Sequence, residues 1–354
     1  MTRKFEITYA RAIFCILVVL IHAFTEFLND TEPTAFSHNI AAFLRILLLF
    51  ATPCFIILSE LLLAMRYTDQ LPKHFFLKRL KFIVIPYIII GTFDAYSHYL
   101  DNINDTTFKA SFFSTVLYGD WYGWFVFVIL QFYVLHALLK NVLNKAKPST
   151  MLGISFVISA THATLMHFSS GYTSLMDDIY PFFHRTFILY WLFYFVFGFY
   201  LGKYYDQVIQ FIRETKLWLL CIWFACIMLI YINYNYFDIT YAQSNRFDLL
   251  VYTVLSFMLI IYILWWFRHA HIPFLLIISE ISFFIYLTHR LLISYISRAL
   301  SPFILHPWIY FVLLVIFTLS FSIGLALILS FIPYSKFVVG RNSFHTMIHR
   351  HFAP

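Results

Sequence analysis

Apolar residues run through this chain in ten blocks, each closed by a short polar segment. The blocks lie at roughly 6–28, 40–64, 82–100, 121–140, 151–168, 186–204, 216–235, 248–267, 274–296 and 308–332. About 20 apolar residues in a helix suffice to cross the hydrocarbon core of a bilayer, so each block is a candidate crossing. Turn formers fill the gaps, as in Asn29-Asp30-Thr31-Glu32-Pro33, Lys145-Ala146-Lys147-Pro148 and Ser169-Ser170-Gly171. There is no internal repeat, no low-complexity tract and no polar stretch long enough for a separate soluble domain. The pattern predicts an all-α polytopic membrane bundle of about ten transmembrane helices, built as a single domain over 1–354.

Composition agrees and excludes other classes. The chain is 62% hydrophobic and only 12% charged, whereas a soluble domain is about a quarter charged. A soluble enzyme, a disordered chain and a fibrous repeat are therefore excluded. The net charge of +7 would suggest nucleic acid in a soluble protein, but here it follows topology. With ten crossings and a cytoplasmic N-terminus, both termini are inside, and eighteen of the 24 Lys and Arg fall on inside segments. Arg45, Lys109, Arg185, Arg246 and Arg298 fall at outside ends or loops, and Arg290 lies within a block. Asp30, Glu32, Asp101, Asp105, Asp120, Asp177, Asp178 and Asp238 collect outside. This bias is the positive-inside pattern. It predicts a multi-pass bacterial cell-membrane protein with lipid, not nucleic acid, around it.

Cys15, Cys54, Cys221 and Cys226 all sit in apolar blocks without metal-site spacing, and are expected to be buried thiols. The tail histidines His345, His349 and His351 lack accompanying carboxylates or cysteines, so no metal is expected. The first block has no small-residue cleavage site and carries Arg11. It is expected to remain as a spanning helix. Nothing matches HExxH, GxSxG, a P-loop or GxGxxG.

Ionisable groups at membrane depth are costly, which makes each a candidate for function. Arg11 and His22 are 11 residues apart, about three helical turns, so they share one face roughly 16 Å apart along the axis. Glu26 follows His22 at i+4 and is placed to orient its imidazole. His289 and Arg290 lie in the ninth block, with His289 at a depth like that of His22, so the two histidines can meet. Glu60 and Glu280 lie near the depth of Arg11, and either can pair with it structurally. Lys78, Arg79 and Lys81 form a basic loop before Ile85-Pro86-Tyr87, suited to lipid or donor phosphates. Asp120-Trp121-Tyr122-Gly123-Trp124 opens the fourth block. Trp121, Tyr122 and Trp124 are either an aromatic belt or a stacking surface for sugar rings.

At these residues the chain resembles the acyltransferase-3 family of integral membrane acyltransferases. The resemblance rests on Arg11 and His22, on Pro53-Cys54-Phe55-Ile56-Ile57-Leu58-Ser59, on the basic loop Lys78 to Lys81 followed by Pro86 and Tyr87, and on Ser282 through Tyr286, Leu287 and His289. Within that family it looks most like members serving poly-N-acetylglucosamine in biofilm formation, through Ala51 to Ser59, Trp121-Tyr122-Gly123 and Phe283 to Leu287. Arg290 stands where the family commonly has Pro, and Glu60-Leu61 where Gly-Phe often follows Ser59.

The resemblance implies O-acylation of an exported cell-surface polysaccharide such as poly-beta-1,6-N-acetylglucosamine, by O-succinyl or O-acetyl transfer. Acyl-CoA, as succinyl-CoA or acetyl-CoA, would be the co-substrate, with no permanently bound cofactor. Arg11, Lys78, Arg79 and Lys81 would hold the donor, and His22 with Glu26 would be catalytic. Trp121, Tyr122, Trp124, Ser282, Tyr286, His289 and Arg290 would bind the acceptor or support the site. A membrane glycosyltransferase complex is an expected partner. The competing expectations are an exporter of the same polymer and a scaffold for its synthase.

Overall fold

The structure, a computed structural model, describes residues 4–67, 70–303 and 306–339. Arg3, Arg341, Arg350 and the tail histidines His345, His349 and His351 lie outside them. Among the described residues there is no strand. Fourteen α-helices follow one another: α1 Phe5–Asp30, α2 Ala35–Leu48, α3 Ala51–Arg66, α4 Phe75–Arg79, α5 Ile85–Asp101, α6 Phe108–Phe112, α7 Phe125–Lys145, α8 Pro148–Phe168, α9 Ser170–Ile179, α10 Leu192–Lys203, α11 Tyr205–Tyr236, α12 Leu249–Trp266, α13 Pro273–Leu300 and α14 Pro307–Ser330. Proline within the first turn opens α8, α13 and α14, where its missing N–H leaves no hydrogen bond unmade.

Every one of the ten apolar blocks carries a helix. Among the described residues, eight stretches are long and apolar enough to cross a membrane unaided. The exceptions are the third and sixth blocks. Helix α5 has 17 residues but continues from α4 through a π-helical stretch, Leu80–Val84. Helix α10 has 12 residues and is entered through two single turns of 3-10 helix at His184–Thr186 and Ile188–Tyr190.

Contacts between helices give the bundle two ends. At the basic end Lys4 pairs with Asp206 at 2.7 Å, and the Tyr9 hydroxyl donates to the Ala270 carbonyl. There too the Tyr200 hydroxyl reaches the Leu143 carbonyl at 3.0 Å. At the opposite end Ser297 and Tyr310 donate to Asp30 at 2.5 and 3.0 Å, and Arg298 pairs with Asp101 at 2.6 Å. Helices α1 and α13 therefore run parallel and side by side. So do α3 and α10, while α11 and α12 are antiparallel, joined by Trp223 to Ser256 and Asn233 to Asp248.

Gly198 and Gly202 let α10 approach α3 closely. A Cβ on Gly198 would stand 2.8 Å from the Ile57 carbonyl, and one on Gly202 2.5 Å from that of Leu61. Small residues four apart let backbones meet where lipid supplies no hydrophobic drive between helices. Gly202→Val is expected to force α10 from α3 and to lower stability by about 1–3 kcal/mol. Thermal unfolding in detergent checks this.

The cysteine expectation holds only in part. Cys15 and Cys54 are buried, Cys226 is half-buried and Cys221 is exposed. The correction has a simple cause: most of the apolar surface of α11 faces away from the bundle, and an apolar exterior suits lipid as well as an apolar interior does.

Candidate active site

Helix periodicity puts Arg11, Cys15, His22 and Glu26 on one stripe of α1, and that stripe lies against α13. The Cys15 thiol contacts the Ser282 carbonyl at 3.7 Å, the His22 and His289 rings are 4.9 Å apart, and Glu26 forms an ion pair with Arg290. Two histidines from distant blocks thus share one place in the half of the bundle away from the basic end.

His289 is fully buried, and its Nδ1 contacts the carbonyls of Tyr286 at 2.7 Å and Ile285 at 3.2 Å. Carbonyls only accept, so Nδ1 carries the proton in neutral imidazole and Nε2 is left as the acceptor. That Nε2 is buried and has no hydrogen-bond partner among the described residues. His22 is half-buried and also lies edge-on to the Tyr122 ring at 4.9 Å.

Tyr122 is clamped from two sides. The Tyr286 hydroxyl donates to its carbonyl, and the Arg290 guanidinium lies over its ring at 5.0 Å. Ser282 is turned inward, donating to the Ser279 carbonyl at 2.9 Å. Its hydroxyl supports the helix rather than facing the histidines.

Trp121 and Trp124 correct the stacking-surface expectation. Both are packed inside, at 7% and 6% exposure. The Trp121 indole lies where a side chain on Gly123 would be, and its N–H donates to the Tyr87 hydroxyl at 2.9 Å. Tyr87 in turn donates to the Thr115 and Val116 carbonyls. Trp124 stacks on Trp191 at 5.3 Å. Only Tyr122, with 36% exposure, offers surface. An indole gains more from dry packing with its N–H satisfied than from a belt position.

Glu26 is a second correction. Its partner is Arg290, not His22: a guanidinium across the helix interface is a stronger partner for carboxylate than an imidazole one turn back. Glu60 is a third. It contacts His136 Nδ1 at 2.6 Å with both side chains at 0% exposure, and His136 Nε2 faces the Tyr67 carbonyl at 3.2 Å.

Toward the basic end, Arg79 is sandwiched between the Phe75 and Tyr133 rings at 4.9 Å from each, and its buried Nε has no hydrogen-bond partner among the described residues. Tyr133 lies within electrostatic reach of Arg11 as well. Lys78 and Lys81 are exposed on the surface.

Sequence reasoning passed over Arg45 and Arg185, which lie within electrostatic range of His22. It treated them only as outside charges. It also passed over Tyr133, whose signal was its place one turn before His136 in an apolar block.

A family model for an acyltransferase domain, acyltransferase 3, matches residues 4–327. A Staphylococcus aureus relative named as a poly-beta-1,6-N-acetyl-D-glucosamine export protein is 29% identical over 348 residues, 96% of this chain and 97% of its own. A Staphylococcus epidermidis relative of the same name is 27% identical over 343 residues, 96% of each chain. A Bacillus subtilis relative named as a membrane-bound acyltransferase is 33% identical over 312 residues, 84% of this chain and 83% of its own. No solved structure matches the chain.

Proposed function

Because this chain belongs to the acyltransferase-3 family of multi-pass membrane proteins, we propose that it transfers an acyl group to a hydroxyl of an exported cell-surface polysaccharide. The observation that carries this is the meeting of His22 with His289 at 4.9 Å beside Tyr122, on the stripe that begins at Arg11. The names of the staphylococcal relatives favour poly-beta-1,6-N-acetylglucosamine as the acceptor, with its glycosyltransferase complex as the neighbour in the membrane. The whole chain, 1–354, would act as a single domain.

The basic end faces the cytoplasm under the positive-inside rule. Lys78 and Lys81 collect the phosphates of acyl-CoA there, and Arg11 and Arg79 hold them beside Tyr133. The roughly 16 Å between Arg11 and His22 matches an extended pantetheine arm. His22 takes the proton of a sugar hydroxyl as its oxygen attacks the thioester carbon. The carbon–oxygen bond forms, the carbon–sulfur bond breaks, and the thiolate recovers the proton as free thiol. His289, with its proton held by backbone carbonyls, offers Nε2 to steady His22. Succinyl and acetyl are the donor groups favoured by the resemblance.

The names of the relatives also favour a second reading, export of the polymer itself. Against it, the space between α1, α3 and α12 is filled by the Phe14, Phe55 and Phe257 rings, 5.6–6.2 Å apart, where a polymer conduit would need polar lining. A deletion strain separates the two. The enzyme reading predicts polymer on the cell surface that has lost its acyl groups. Polymer retained inside the cell, with acyl groups intact, would overturn it.

A further inference from the structure

We propose that Arg45 and Arg185 form, with Arg290, an anion-binding wall beside His22 that receives a negatively charged group of the substrate, a carboxylate or phosphate. The proposal rests on the transferase role argued above. Three arginines away from the basic end have carboxylate partners: Arg246 with Asp248 at 2.6 Å, Arg298 with Asp101 at 2.6 Å, and Arg290 with Glu26. Arg45 and Arg185 have no ion pair among the described residues, and the Nε of each is buried without a hydrogen-bond partner. A buried guanidinium nitrogen normally finds a hydrogen-bond partner, so two without one, both within electrostatic range of a single histidine, require a reason.

They come from different elements, Arg45 from α2 and Arg185 from the turn before α10, yet both act electrostatically on His22. Arg185 is held in place: its carbonyl accepts the Trp191 indole N–H at 2.7 Å, and its guanidinium lies 5.2 Å over the Phe183 ring. Asp120 is within its electrostatic range but is exposed and makes no ion pair with it. Glu26 is already matched to Arg290. A plain sugar hydroxyl and an acetyl thioester bring no charge to this wall. An anionic group does, and it can arrive on a dicarboxylic acyl group or on the acceptor. In a dry site, guanidinium groups recognise carboxylate and phosphate by paired, charge-assisted hydrogen bonds.

The test compares wild type with Arg45→Gln/Arg185→Gln in membrane vesicles. Three substrate pairs are used: succinyl-CoA with a neutral N-acetylglucosamine oligomer, acetyl-CoA with the same oligomer, and acetyl-CoA with the oligomer carrying a phosphate. In the variant the ratio of kcat/KM for one charged pair to that for the neutral pair is expected to fall at least tenfold. A fall with succinyl-CoA places the anion on the acyl group, and a fall with the phosphorylated oligomer places it on the acceptor. Arg185→Lys is expected to restore part of the ratio, whereas a folding defect lowers all three pairs alike. Succinate or inorganic phosphate is expected to raise the Tm of detergent-purified wild type more than that of the variant. If wild type transfers no acyl group yet gains Tm from one of these anions that the variant does not, the transferase role fails and the wall stands. Unchanged ratios overturn the proposal, as do equal Tm shifts where no turnover occurs.

Discussion

His22→Ala is expected to reduce acyl substitution of the surface polysaccharide by about 10²- to 10⁴-fold, the usual contribution of a positioned general base. The variant should still insert, because His22 is half-buried and among the described residues forms no hydrogen bond that holds α1 to its neighbours. His289→Ala is expected to cost less, since its Nε2 has no hydrogen-bond partner among the described residues and its proposed role is to support His22. Quantifying acyl groups per sugar, alongside the amount of protein in the membrane, separates loss of chemistry from loss of folding. Full substitution in His22→Ala at normal protein levels would sink the proposed role.

The second large effect is on stability. Glu60→Leu is expected to cost about 3 kcal/mol, because it leaves a fully buried His136 Nδ1 facing an apolar surface. Glu60→Leu with His136→Leu should cost less than either change alone, since a buried polar pair replaced by apolar groups is often near neutral. Thermal unfolding of the three variants in detergent gives the coupling. Acyl transfer in each should follow the amount of folded protein. A double variant that unfolds as a native protein does, yet transfers nothing, would move Glu60 and His136 from structure into the donor site.

Much of this molecule is legible from residue order alone, for a physical reason. A bilayer demands backbone groups satisfied within each crossing, so every crossing must be an apolar helix and appears as a block. The scarcity of charge then makes each remaining charge informative. The shared face of Arg11 and His22 follows from 3.6 residues per turn. Equal depth for His22 and His289 follows from counting residues from the ends of their blocks.

Partner choice is different, because it depends on which helix faces which. Glu26 was one turn from His22 in the chain, but α13 brought Arg290 to it. Glu60 stood at a depth like that of Arg11, but α7 brought His136 to it. Trp121 and Trp124 stood at a helix mouth, where belts form, and were drawn inside by Tyr87, Gly123 and Trp191. Arg45 and Arg185 are the clearest case. One sits in a helix without an obvious motif and the other in a loop, and no local pattern links either to His22. The residue order determined a many-helix membrane protein with a basic end and an in-membrane Arg–His stripe. The packing of α13 against α1 decided that the stripe ends in a histidine pair beside Tyr122 and the Glu26–Arg290 ion pair, since side chains distant in the chain meet only where the bundle closes.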